Sequence, residues 1–222
     1  MRRLAIDTST LACTVALQVD GVLIERHEEK AREHTRLLMP MIRDVLTEAD
    51  TELAALDAIV LGNGPGSFIG LRIAASVAQG LAFGAGLNII PVSSLAAVAA
   101  QEFNDGDART VAVAQDAHMH EIYLGLYARG PNGLPQAVCD ERLHAVGAIS
   151  ELKGHDTCAV AGEGWLRYPE HLEANVALRG AHPDVLYPRA AWLLALSDNC
   201  PEIEPDKLVP AYLRQKVAQK PQ

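Results

Sequence analysis

Two stretches of this chain carry the same succession of hydrophobic patterns, three strand-like segments followed by helix, strand and helix. That duplication restricts the possible folds more than any single motif. In the first stretch Leu4 to Asp7 is a short apolar run, Cys13 to Val19 alternates, Asp20-Gly21 is a hairpin turn and Val22 to Arg26 continues as a third strand. Leu37, Leu38, Met41, Ile42, Val45, Leu46 and Ala49 then fall on one helical stripe over Thr35 to Ala49, with Pro40 expected to bend that helix or close its first turn. Ala58 to Leu61 predicts a buried strand, Ser67 to Phe83 a helix, Ile89 to Val92 a strand and Ser94 to Glu102 a serine-capped helix.

The segment Phe103 to Arg109 loses its apolar residues and gains Gly and Asp, which places a boundary between domains 1–104 and 105–222. Beyond it strands are expected at Thr110 to Ala114, Ile122 to Ala128 and Ala137 to Glu141. A helix near Val146 to Leu152, a strand at Cys158 to Ala161 and a helix at Arg189 to Leu196 follow. The expectation is an α/β protein of two domains with one topology, each a mixed sheet flanked by helices. The apolar segment Pro210 to Arg214 is expected to dock back, and Lys216 to Gln222 to fray.

Composition narrows the functions. A hydrophobic share of 49% with 21% charged residues is that of a folding globular chain. Nothing approaches the roughly 18 consecutive apolar residues of a membrane span, and Asp7 interrupts any leader-like run, so a cytoplasmic protein is expected. Cys13, Cys139, Cys158 and Cys200 lie far apart without a CxxC pair, which predicts free thiols rather than zinc ligands. A net charge of −9 opposes a protein that grips nucleic acid unaided. The eight histidines contain no HxxxH pair, and no metal site or nucleophile-base pair is evident.

Three loops could carry chemistry. Asn63 to Arg72 reads NGPGSFIGLR, a turn from strand to helix in which Gly64, Pro65, Gly66 and the capping Ser67 form either a ligand loop or a close-packed turn. It lacks the Gly-Lys-Ser/Thr of a P-loop. Asp7, Thr8, Ser9 and Thr10 close the first strand. An aspartate with three hydroxyls suits a metal-bound phosphate, or simply a turn. Asp116 holds the corresponding place in the second half, and Gly162 and Gly164 could form a nucleotide-side loop. The helix Ser67 to Phe83 is apolar nearly all round. It therefore packs inside the molecule or serves an interface together with the helix Thr35 to Ala49. The candidate interface residues are His34, Leu37, Leu38, Met41, Ile42, Val45, Phe68, Leu71, Arg72, Ala75 and Ala78.

LAIDTST at 4–10, REHTRLLMPMI at 32–42, NGPGSFIGLRI at 63–73, PVSSL at 91–95, DAHMHEIYLGLY at 116–127, AGEGW at 161–165 and PAYLR at 210–214 run in order over nearly the whole chain. Together they resemble the bacterial tRNA threonylcarbamoyladenosine biosynthesis family TsaB, formerly YeaZ, and GPGSFxGLR is specific to that family. Ile69 stands where the family has threonine, and His118 and His120 where it commonly has Arg and Gly. The resemblance implies an actin-like ATPase (ASKHA) fold and a noncatalytic subunit. That subunit would act with the catalytic paralogue TsaD and the ATPase TsaE in modifying adenosine beside the tRNA anticodon. It would hold no intrinsic cofactor, leave ATP and magnesium to the complex, reach tRNA only through the complex and form a homodimer when alone. An actin-like phosphotransferase or ATPase is the alternative, and a metallopeptidase, a label once given to relatives, the remotest.

Overall fold

A computed structural model describes residues 1–145, 147–152, 158–178 and 180–214. The first lobe opens with the antiparallel strands β1 (Arg3–Asp7), β2 (Ala12–Val19) and β3 (Val22–Glu29), followed by helix α1 (His34–Glu48). Strand β4 (Ala58–Gly62), helix α2 (Phe68–Ala85), strand β5 (Asn88–Val92) and helix α3 (Ser94–Asp105) complete its expected order. Its sheet runs β3-β2-β1-β4-β5, with β1, β4 and β5 parallel.

The sequence dictates which face meets which helix. Leu4, Ile6, Val15 and Leu17 alternate onto the face covered by α1 and α2, where they meet Ile42, Val45, Ala74 and Ala78. Ala5, Ala16, Ala58 and Val60 are turned to the other face, and their small side chains admit a helix close to the sheet. Pro40 lies within α1, which runs on as one helix; position 40 is exposed. Ser67 and Ser93 cap α2 and α3 by accepting the backbone N–H of Gly70 and Ala96.

The second lobe consists of β6 (Thr110–Asp116), β7 (Glu121–Arg129), β8 (Pro135–Ala137), β9 (Arg142–Ala145) and β10 (Ala159–Ala161), then the short helices α4 (Gly164–Arg167) and α5 (Glu170–Ala174). Its sheet runs β10-β6-β7-β8, with β9 also paired to β7. Two expectations are corrected here. The single strand over 137–141 is replaced by β8 and β9, both pairing with β7, with the chain between them leaving the sheet. The helix near Val146 to Leu152 shrinks to a 3-10 turn at Ser150–Leu152, and Val146 lies outside the described residues, as does 215–222. Gly147 at φ +151° is incompatible with a helix running through it.

Helix α6 (Ala190–Ser197) does not extend the second sheet. It packs on the small-residue face of the first-lobe sheet, beside α3. Ala190 N–H donates to Thr14 Oγ1 at 3.0 Å, Arg189 pairs with Glu25 at 2.7 Å, and Ile203 then bridges to Ile89 at the β5 edge. The chain thus returns to the first lobe about twenty residues before the segment expected to dock.

Candidate functional site

The first hairpin is built shut. Asp7 is fully buried; Ser9 N–H and Ser94 Oγ–H donate to its two carboxylate oxygens, both at 2.6 Å. Burial holds its carboxyl above the usual carboxylate range, against those two hydrogen bonds. Thr8 Oγ1 donates to Gly70 O at 2.7 Å, and Ser67 N–H to Ser9 O at 2.6 Å. A Cβ on Gly70 would stand 1.9 Å from Thr8 O, and one on Gly66 2.3 Å from Ser9 O. The glycine loop therefore lies directly on the hairpin, and its glycines serve that contact. Gly64, at φ +83°, makes the turn, with Pro65 behind it.

The second half repeats the design with one difference. Gly162, at φ +98°, would place a Cβ 2.1 Å from Ala114 O, and Gly164 one 2.9 Å from the same residue. Both press on strand β6 ahead of Asp116, so its hairpin tip stays open. The Asp116 carboxylate accepts His118 N–H at 2.7 Å and Tyr168 O–H at 2.9 Å, and faces the His118 ring and Arg167. The Glu163 carboxyl is raised by burial and accepts the Tyr187 hydroxyl at 3.0 Å.

Between the lobes lies a cleft of 840 Å³. Ser9, Thr10, His34, Ser67, Gln115, Asp116, His118, Glu163 and Arg214 contribute to its wall. Of the expected nucleotide residues, Ser9, Thr10 and Asp116 reach the cleft, whereas Asp7, Thr8, Gly162 and Gly164 do not line it. A metal-bound phosphate at the first hairpin does not fit, because the carboxylate that would serve it is enclosed and already accepts two hydrogen bonds. Ser9 Oγ, His34 Nε2 and Gln115 Oε1 are buried without a hydrogen-bond partner among the described residues. They suit water or an uncharged polar group better than phosphate beside Asp116 and Glu163. No group of three or more His, Cys, Asp or Glu side chains fits a metal ion among the described residues. The four cysteines are free thiols, and burial pushes Cys13 and Cys158 up to about 12.

The second candidate region is the outer face of α1 and α2. An apolar groove of 410 Å³ runs between them, lined by Thr35, Leu38, Met39, Ile69, Arg72, Ile73, Ser76 and Val77. Ile69 is 71% and Phe83 84% exposed on α2. The expected interface residues are mostly elsewhere: Met41, Ile42, Val45, Leu71, Ala75 and Ala78 are buried, the alanines where α2 crosses the sheet. His34 is buried and Leu38 forms the groove floor. Leu37 and Phe68 are partly covered, and only Arg72 is open. The polar residues Arg72 and Ser76, with Gly80 and Gly84, mark the outward stripe that pattern-reading on apolar residues alone passes over. α2 is long and apolar enough, by length and composition, to cross a membrane; its inner side is held against the first sheet.

Residues 22–216 match the family model of the tRNA N6-adenosine threonylcarbamoyltransferases, TsaD. The tRNA threonylcarbamoyladenosine biosynthesis protein TsaB of Escherichia coli is 39% identical, covering 99% of this chain and 97% of its own length. The same protein of Haemophilus influenzae is 36% identical over 98% and 95%. The solved structure of YeaZ from Pseudomonas aeruginosa superposes with a TM-score of 0.84 at 35% identity, over 96% of this chain and 99% of that one. Another solved structure from that organism, described as an uncharacterized protein with similarity to peptidase YeaZ, gives 0.84 at 36%. Two lobes that share an antiparallel hairpin flanked by a parallel strand, joined to similarity spanning nearly the whole chain, make this an actin-like protein of the TsaB/YeaZ family of tRNA threonylcarbamoyladenosine biosynthesis.

Proposed function

We propose that this chain is a noncatalytic, cytoplasmic subunit of the threonylcarbamoyl transfer machinery, docking through the α1–α2 face onto the catalytic paralogue TsaD, with the ATPase TsaE in the same assembly. The same face pairs two copies when TsaD is absent. The observation that carries this reading is Gly80 and Gly84, on the outward side of α2 with open space around each. A glycine inside a helix is worth about 1 kcal/mol less than alanine. Among the described residues nothing approaches these two, whereas a helix arriving from outside would use the space they leave, and Ile69, Val77 and Phe83 flank its path. The chain holds no cofactor of its own, ATP and magnesium act elsewhere in the assembly, and tRNA is reached through the complex because the net charge of −9 opposes phosphate.

The test is a tRNA modification assay with the partners present and this chain added, omitted or altered. Ile69→Glu, at an exposed position of the groove, should abolish stimulation and shift the free protein to monomer while leaving it folded. Ala78→Glu, on the same helix but buried in the core, should unfold it. An Ile69→Glu variant that dimerises and stimulates like the parent would refute the docking face. The competing reading, an actin-like phosphotransferase, requires ATP turnover by the purified chain that is lost in Asp116→Ala.

A further inference from the structure

The last described stretch, 208–214, fastens three separate parts of the molecule. Leu208 belongs to the first-lobe core and Leu213 packs against the cluster that contains Phe103, Val113 and Tyr123. Asn63 Nδ2 donates to Val209 O at 3.1 Å and Ala211 N–H to Asn63 O at 3.3 Å, which ties the stretch to the glycine loop. The Tyr212 ring lies 5.4 Å from that of Phe68, in the first turn of α2, and Arg72 Nε donates to Tyr212 Oη at 3.1 Å. The Arg72 guanidinium also stacks 3.6 Å over Phe68. Two residues later Arg214 Nη2 donates to Ala117 O at 2.8 Å and pairs with Glu121 at 2.5 Å.

Those two attachments differ in kind. Arg72 lines the docking groove, so whatever sits there touches the side chain that holds Tyr212. At the other end the second hairpin is under strain: His118, Met119 and His120 take φ of 60°, 56° and 58°, a run of left-handed conformations that non-glycine residues adopt at a cost. Beside its own bonds, Ala117 N–H to Glu121 O at 3.0 Å and Glu121 N–H to His118 O at 3.1 Å, it takes ties from outside, and Arg214 supplies one to each flank of that run, at Ala117 and at Glu121.

We propose that Tyr212 and Arg214 are positioning residues of a strap that couples the docking face to the second hairpin, so that a partner seated on α1 and α2 sets residues 117–121 and the mouth of the cleft. The proposal rests on the docking reading above and adds to it a route by which docking reaches the second lobe. Coupling of this kind is reciprocal: loosening the hairpin weakens docking by the same factor that docking steadies the hairpin.

Backbone amide hydrogen exchange on the full chain tests it. Among the described residues Tyr212→Ala removes ring and hydroxyl contacts to α2, yet it should raise exchange at 117–121 at least about fivefold in the free protein. Tyr212→Phe keeps the ring and should raise it less. TsaD should slow exchange at 117–121 in the parent and in Arg214→Lys, which keeps the Glu121 pair, and fail to do so in Arg214→Ala while still protecting α1 and α2. Parent-like hairpin exchange in Tyr212→Ala, or undiminished slowing by TsaD in Arg214→Ala, would overturn the strap. If TsaD protects neither helix of the parent, the docking reading fails by itself, and the Tyr212→Ala result in the free chain decides the strap.

Discussion

The two lobes repeat one design and finish it differently. In each a strand ends in an aspartate, turns through a hairpin and is met by a glycine loop that opens a helix. In the first lobe the loop presses on the hairpin itself, at Thr8 and Ser9, and the helix that follows spans 18 residues. In the second the loop presses on Ala114, short of the hairpin, and the helix has four residues. Where the glycine lands decides the outcome. A loop closed over its hairpin gives a rigid platform for a long helix whose outer face is free for a partner. A loop that stops short leaves Asp116 at the cleft and a hairpin that other segments must hold.

The strongest way to break this comparison is Gly70→Ala. Its Cβ meets backbone rather than a movable side chain, so the loss should be on the order of 3–5 kcal/mol in urea unfolding, whereas Gly164→Ala, with its nearest contact at 2.9 Å, should lose about half as much. Similar losses would mean that the two loops are equivalent. The aspartates give the next largest contrast. Asp7→Ala leaves Ser9 N–H and Ser94 Oγ without their acceptor in a fully buried site, about 3 kcal/mol, while Asp116→Ala, at the cleft, should cost about 1 kcal/mol.

The smallest effect is a pH dependence confined to the second lobe. His171 is fully buried, neither ring nitrogen has a hydrogen-bond partner among the described residues, and His144 lies 6.0 Å away ring to ring. Burial depresses both imidazoles, and at His171 the neighbouring His144 adds to this while Glu170 partly opposes it. The folded state therefore binds fewer protons than the unfolded one below the ordinary histidine range near pH 6.5. Stability is fully present above that range and falls as pH drops through the depressed values. His171→Leu should flatten the fall without loss of stability at pH 8. Melting curves across that range check it, and an unchanged acid slope would assign the sensitivity elsewhere.

Most of the first lobe was legible because each segment there obeys one period. Alternation in β2, the helical stripe of α1 and the serine caps all agree with the final packing. The second lobe was read less well where its elements are too short for a period to show, as in β8 and β9 with three and four residues. At the first hairpin the residue types suit a phosphate site or a turn equally, and the structure shows Asp7 and Thr8 turned inward onto Ser9, Ser94 and Gly70, since residue type does not tell whether a carboxylate points outward or into its own backbone. The inward and outward faces of α2 were exchanged for a related reason: alanine suits both a helix crossing within the molecule and one between molecules. The polar and glycine stripe Arg72, Ser76, Gly80 and Gly84 distinguishes them.

One consequence follows from the return of α6 to the first lobe. A ribosome releases β1 to β5 long before Ala190 to Ser197, and until then the alanine-lined face of the first sheet has no α6 to cover it. The lobe made first is thus completed only when a segment beyond the whole second-lobe sheet has emerged. Termination of synthesis anywhere before Arg189 would leave that apolar sheet face without α6, and quality control would meet the product as an unfinished first lobe.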